Sequence, residues 1–239
     1  MTLEAGVWAV VPAKNFNSAK TRLGEVLQAE ERNQLSRAML QDVLSALLSS
    51  NRLAGAVVIT ADSDVANVAI AAGARVFRET ATHGPATAVT AAAQLLARTG
   101  QPGIIGIMAD VPLVTSAEID QLLALHTESP AITLVPSSDG VGTNAVVCSP
   151  PDIIELSFGG NSLATHLQTA RRHGIQAKIV NLPGLGLDLD QPDDLRIFIK
   201  RRSVTRTARY LSKRGLEERY SAIIPAAEYG TAKLLRARR

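Results

Sequence analysis

Cysteine is almost missing from this chain of 239 residues: Cys148 stands alone, so no intramolecular disulfide can form and a secreted, oxidising setting gains no support. A reducing cytosol is the expected compartment. Met1-Thr2-Leu3-Glu4-Ala5 lacks the cationic start and long apolar core of a signal peptide, and no stretch approaches the ~20 apolar residues that span a bilayer. No membrane association is expected. Aromatic residues make up only 3% of the chain, against 46% hydrophobic residues overall and 17 glycines, the usage of small-residue helices packed on buried aliphatic strands. The phosphate-cradling pattern GxxxxGK[ST] is absent, which excludes a P-loop. His83, His126, His166 and His173 show no metal-ligand spacing, and Cys148 lacks an identifiable catalytic partner, so covalent catalysis gains no support.

The formal net charge of +3 conceals an asymmetry. Residues 1–195 hold 12 basic and 19 acidic groups, net −7, whereas 196–239 hold 13 and 3, net +10. The length suits one domain with an appendage, at roughly 100–200 residues per domain: a body at 1–200 and a basic extension at 201–239. The basic surplus belongs to the extension and is not a nucleic-acid signature of the whole chain. Leu211, Leu216, Ile223 and Ile224 suit a solvated helix or frayed terminus packing against the body, with docking onto a partner chain or the acidic body as the alternative.

Short apolar, β-branched runs alternate with segments of helical period, the pattern of an α/β fold with a mostly parallel sheet. The expected strands are Val7–Val11, Ala56–Thr60, Arg75–Phe77, Ile104–Met108, Ile132–Val135, Ala145–Cys148 and Gln176–Val180. The expected helices run from about Ala29 to Ser49, Asp64–Ala72, Ala86–Arg98, Thr115–His126, Ser162–His173 and Pro192–Arg202. Thr115 followed by Glu118 reads as a capping box. In such sheets ligands gather at the carboxyl ends of the strands, so the segments just after each strand carry the chemistry.

The first strand runs into a loop, Pro12 to Leu23, that carries Lys14, Lys20 and Arg22. Three cations in nine residues could hold a triphosphate or form a solvated basic loop. Asp110 ends the apolar run Ile104–Met108, where it suits either a magnesium ligand or a turn cap. Asp188 and Asp190 stand two apart, so on an extended segment both point the same way and repel. A divalent cation held between that pair and Asp110 would remove the repulsion, while Asp193 and Asp194 favour the first turn of the next helix. Two glycine-bearing loops, Asp139–Asn144 and Phe158–Ser162, let backbone amides approach a second anion, with Thr143 and Ser162 adding hydroxyl donors. His166 follows Ser162 by one turn and reads as a hydrogen-bonded structural residue.

Taken in order, these segments resemble the 2-phospho-L-lactate guanylyltransferase family. The resemblance rests on Val11-Pro12-Ala13-Lys14 with Ala19-Lys20-Thr21-Arg22-Leu23, on Ala109-Asp110-Val111-Pro112-Leu113, and on Gly142-Thr143-Asn144. Phe158-Gly159 with Ser162 and His166, and Leu187-Asp188 through Asp193-Asp194-Leu195, complete it over about residues 7–200. It implies a Rossmann-like, GT-A-like nucleotidyltransferase fold in three layers, with GTP and Mg2+ required and pyrophosphate released in the biosynthesis of deazaflavin coenzyme F420. By the same resemblance Thr143, Asn144, Gly159 and Ser162 meet a phosphorylated three-carbon acid, Lys14, Lys20 and Arg22 the nucleotide, and Asp110, Asp188 and Asp190 the metal. Two departures leave 2-phospholactate, phosphoenolpyruvate and 3-phosphoglycerate all open as acceptors. His83-Gly84-Pro85-Ala86 stands where the family usually has a Gly-Leu-Asn stretch, and Val141 where a Thr is common. The runner-up expectations are another nucleotidyl or nucleotide-sugar transfer on the same scaffold, and polyanion binding through the extension. A homodimer is compatible with all of them.

Overall fold

The computed structural model describes residues 6–79 and 84–216. His83 and the extension beyond Leu216, with Ile223 and Ile224, lie outside the described residues. The described residues form seven strands and seven α-helices: β1 Val7–Pro12, α1 Ala29–Leu48, β2 Leu53–Thr60, α2 Ser63–Ala72, β3 Arg75–Arg78, α3 Pro85–Arg98, β4 Gly103–Ile107, α4 Ser116–Leu125, β5 Ala131–Pro136, β6 Thr143–Ser149, α5 Ser162–Arg172, β7 Lys178–Ile179, α6 Pro192–Lys200 and α7 Arg206–Lys213.

The strands form one sheet in the order β3-β2-β1-β4-β6-β5-β7. β1 pairs in parallel with β2 and β4, which places Val10 opposite Val57 and Gly106. Among the described strands only β6 runs against its neighbours, with Ile105 opposite Val147 and Val147 opposite Thr133. Reversal of β6 has a functional consequence, because it carries the first residues of that strand to the edge where β4 ends. Met108 donates its amide to the Asn144 carbonyl at 3.0 Å there. Thr143 and Asn144 are therefore strand residues at the strand's amino end, although the expected strand began only at Ala145.

Apolar layers cover both faces of the sheet. α1, α2 and α4 bury Leu40, Leu44, Val65 and Ile119 against Val11, Val58 and Ile107. The other face meets α3 and α5 through Val89, Leu96 and Ala170. A third cluster unites Leu23, Leu35, Met39, Leu187, Leu189, Leu195, Phe198, Leu211 and Leu216. It ties the loop after β1, the acidic segment and α6–α7 into one unit.

Several expected boundaries shift for local reasons. Thr115 does cap α4 by accepting from the Glu118 amide, but Glu118 Oε1 accepts from Gly184 N at 2.7 Å instead of closing a capping box. Reciprocal carboxylate caps occur elsewhere: Glu31 accepts from Gln28 N, and Asp194 from both Gln191 N and Asp190 N. β7 shrinks from five residues to two, paired only with β5 at the sheet edge. α6 ends before Arg202, whose φ of +46° leaves the helical region. Two short 3₁₀ turns, Phe16–Ser18 and Thr21–Glu25, shape the loop after β1.

Candidate functional site

The polar segments converge where β1 and β4 end, the position at which the sheet order reverses and loops diverge into a crevice. A cavity of about 450 Å³ lies there, lined by Lys14, Lys20, Asp110 and Asp190 at one end and by Thr60, Glu79, Gly84 and Pro85 elsewhere. Such a volume lies within the usual range for a small-molecule site.

Lys20 is the centre of the charged group. Its ammonium donates to Asp110 Oδ2 and, at 3.1 Å, to Asp190 Oδ1, with 8% of the side chain exposed. Arg22 Nη1 reaches the other Asp190 oxygen at 2.8 Å. Burial alone would lower the Lys20 pKa, but Asp110 and Asp190 outweigh it and hold the ammonium above its ordinary value. Burial likewise pushes Asp190 up, and Lys20 and Arg22 bring it below the ordinary carboxylate range. Lys20 adopts φ +56°, ψ +38°, a left-handed conformation that costs a non-glycine residue roughly 1–2 kcal/mol. That strain occurs at the residue joining two acidic segments.

Asp188 differs from Asp190. Asn144 Nδ2 donates to it at 3.1 Å, yet burial, and then the neighbouring Asp110 charge, raise its pKa to about 6. Asp110 Oδ1 is buried and has no hydrogen-bond partner among the described residues. Asp188 and Asp190 do alternate with buried Leu187 and Leu189, and Leu189 N bonds the Asp110 carbonyl at 3.0 Å. The three carboxylates thus share one neighbourhood, with the Lys20 ammonium between two of them. Among the described residues no three histidines, cysteines or acids converge as a ready metal-ligand cluster.

Thr143, Gly159 and Ser162 lie outside the cavity lining, next to the start of β6. Thr143 N donates to Ser162 Oγ at 2.9 Å, which joins β6 to the first residue of α5. Both side chains are buried, with Thr143 3% and Ser162 1% exposed. Gly159 has φ +81° with open space where a Cβ would stand, so the left-handed backbone, and not crowding, is what favours glycine there. Asn144 connects this pocket to the acids through Asp188 and also donates to the Leu185 carbonyl at 3.0 Å.

Lys14, Lys20, Asp110 and Asp190 meet around one cavity, Arg22 and Asp188 adjoin them, and the Thr143, Gly159 and Ser162 group stands across the end of β4. Sequence reasoning missed Thr60, Asp62 and Glu79 as cavity wall. Asp62 has a visible local role as the cap of α2, but its second bond, from Asn15 Nδ2 at 2.7 Å, is a tertiary contact with no local signal. Cys148 is buried, and burial pushes its thiol up to about 12, which leaves it inert.

Residues 7–226 match the family of CofC-like guanylyl transferases. The chain belongs to that family. Among relatives, the phosphoenolpyruvate guanylyltransferase of Rubrobacter xylanophilus is 34% identical over 79% of this chain and 91% of its own length. A 2-phospho-L-lactate guanylyltransferase of Methanothermobacter thermautotrophicus is 31% identical over 86% of this chain and 89% of its own. The 3-phospho-D-glycerate guanylyltransferase of Colwellia psychrerythraea is 31% identical, covering 79% and 89%. A solved structure assigned as a nucleotide-diphospho-sugar transferase, from Desulfovibrio desulfuricans, superposes with a TM-score of 0.73 at 18% identity over 91% of this chain and 99% of that one. A cytidylyltransferase of Leptospira borgpetersenii gives 0.58 at 11% identity, over 95% and 99%. The fold is that of the nucleotidyltransferases, and the protein is an enzyme of that class.

Proposed function

We propose that this enzyme transfers GMP from GTP to the phosphate of a phosphorylated three-carbon acid and releases pyrophosphate, the step that forms the guanylylated precursor of deazaflavin coenzyme F420. One observation carries the reading. In a member of the guanylyl transferase family, an ammonium clasped by two carboxylates from distant segments stands at the end of a nucleotide-sized cavity.

The chemistry suits that arrangement. A phosphate monoester has its second pKa near ~6, so the acceptor is already an oxyanion at neutral pH and needs no general base. Its oxygen forms a bond to the α-phosphorus of GTP while the bond to the bridging oxygen of the β-phosphate breaks. The electron pair leaves with pyrophosphate, and no proton has to move. Lys14, Lys20 and Arg22 neutralise that leaving group, while Thr143, Asn144, Gly159 and Ser162 orient the acceptor for in-line attack.

The residues present fit a magnesium ion. A cation beside Asp110 would satisfy its unpartnered Oδ1 and relieve the Asp110 repulsion that, after burial, raises Asp188, and Mg2+ takes one or two carboxylates plus phosphate oxygens. Asp110, Asp188 and Asp190 would hold it. When bound, the ion supplies Lewis-acid polarisation at the α-phosphate. No described helix is long and apolar enough to cross a membrane, in keeping with work in the cytoplasm.

The test is pyrophosphate release from GTP with Mg2+ and, in turn, phosphoenolpyruvate, 3-phosphoglycerate and 2-phospholactate. We expect GTP-dependent release with one of the three and little with ATP, CTP or UTP. Turnover only with a nucleotide sugar would overturn the reading.

A further inference from the structure

His166 is fully buried on α5, and both ring nitrogens are engaged. The Ser157 amide reaches Nε2 at 2.9 Å. A backbone N–H can only donate, so Nε2 carries no proton and the neutral ring must hold its hydrogen on Nδ1. Nδ1 lies 3.1 Å from Thr143 Oγ1, and it is therefore the donor in that contact. The Thr143 hydroxyl is left to act as a donor elsewhere, and no described residue accepts its hydrogen. Ser162 presents the same arrangement, since its Oγ accepts the Thr143 amide and its own hydrogen meets no acceptor among the described residues. Two buried hydroxyl hydrogens with no acceptor among the described residues, beside the amino end of an eleven-residue helix, form a place prepared for an oxyanion.

We infer that His166 is a positioning residue for the acceptor: fixed as its Nδ1–H tautomer by the Ser157 amide, it occupies a lone pair of Thr143 and turns that hydroxyl's hydrogen toward the acceptor anion. Through the same ring it fastens the segment before Phe158-Gly159-Gly160 to α5, so the glycine loop and the Thr143 donor are set by one side chain. Phe158 meets the imidazole edge-on, with ring centroids 6.0 Å apart. Burial drives the imidazole down to about 4, so the donor pattern persists throughout neutral conditions. This inference rests on the acceptor reading proposed above.

The experiment has two arms. Long-range ¹H–¹⁵N NMR of the wild-type imidazoles, with His166 assigned by loss of its signals in His166→Gln, should show protonated Nδ1 and bare Nε2 at neutral pH. The opposite tautomer overturns the inference whatever the protein's activity. In the kinetic arm, His166→Leu should raise KM for the acceptor about tenfold, the effect of roughly one hydrogen bond to a charged group, and leave KM for GTP within twofold. His166→Gln keeps one acceptor and one donor at imidazole-like spacing and should restore most of the acceptor KM. Thr143→Val should resemble His166→Leu, and the double variant should be no worse than Thr143→Val alone. Equal rises in both KM values, or multiplicative effects in the double variant, overturn the inference. Absence of GTP-dependent turnover in the wild type defeats the functional reading itself, and the tautomer measurement still decides the arrangement at His166.

Discussion

At the level of single residues, Lys20 concentrates the greatest number of competing demands. It holds a left-handed backbone, faces two carboxylates and stays charged despite burial. Lys20→Met keeps the strained φ and removes the charge, whereas Lys20→Gly removes both strain and charge. Both should lower turnover by about 10²–10³-fold, the usual effect of deleting one donor aimed at developing charge, measured as pyrophosphate release. The glycine variant should nevertheless be the more stable of the two by about 1 kcal/mol in urea unfolding. Turnover retained in the glycine variant would show that the left-handed backbone, and not the charge, is what the position supplies. Lys14, Lys20 and Arg22 could be picked out from the chain as a basic loop, and Asp110, Asp188 and Asp190 as acids after apolar runs. Their pairing could not, because it joins positions 90 and 170 residues apart that no local pattern connects.

At the level of elements, α7 shows how a charged segment becomes part of the body. Asp42, on α1, accepts from Arg206 N, Thr207 N and Thr207 Oγ1 at 2.8, 2.8 and 2.7 Å, so a buried carboxylate from one helix caps another. Beneath it Leu211 and Leu216 close over Leu23, Leu35, Met39 and Phe198. The same cluster includes Leu187 and Leu189, which flank Asp188, so α7 supports the acidic segment from behind. Asp42→Ala should cost about 2 kcal/mol in urea unfolding, from a lost cap and charge-assisted hydrogen bonds, with turnover unchanged while the protein stays folded. A chain ending at Arg202 should lose turnover together with this packing, but one ending at Leu216 should retain it. Scattered apolar residues made packing against the body legible near Leu211, but not the bounds of a helix. The partner surface was not, since Asp42 reads locally as one acid in a long helix.

At the level of the whole molecule, the charge asymmetry resolves into places. Residues 196–216 hold eight Lys and Arg and no acid, so most of the basic surplus lies on α6, α7 and their connection and not beyond Leu216. Acid stability is a property of the entire chain to which buried groups contribute with opposite signs. His166 has a folded pKa of about 4 against an unfolded value near ~6.5. Its contribution is complete above the unfolded value and is lost as pH falls from there toward the folded one. Burial lowers His126 as well, which acts in the same direction, while the raised Asp188 opposes both. Comparison with His166→Gln isolates the first of these. The stability gap between wild type and variant should shrink by about 2 kcal/mol between pH 8 and pH 5, read from urea unfolding at each pH; a gap independent of pH would show that the imidazole is not held neutral.

The sequence by itself determined the α/β architecture, since alternating apolar runs and amphipathic segments admit few other layer arrangements. It also marked the polar residues that end those runs, because each depends only on its immediate neighbours. Tertiary structure decided the direction of β6, which brings Thr143 and Asn144 to the end of β4. It also decided the Lys20 clasp and the Asp42 cap of α7. These features arise from packing between segments far apart in the chain, where burial and charge pairing act through space and leave no periodic trace in the order of residues.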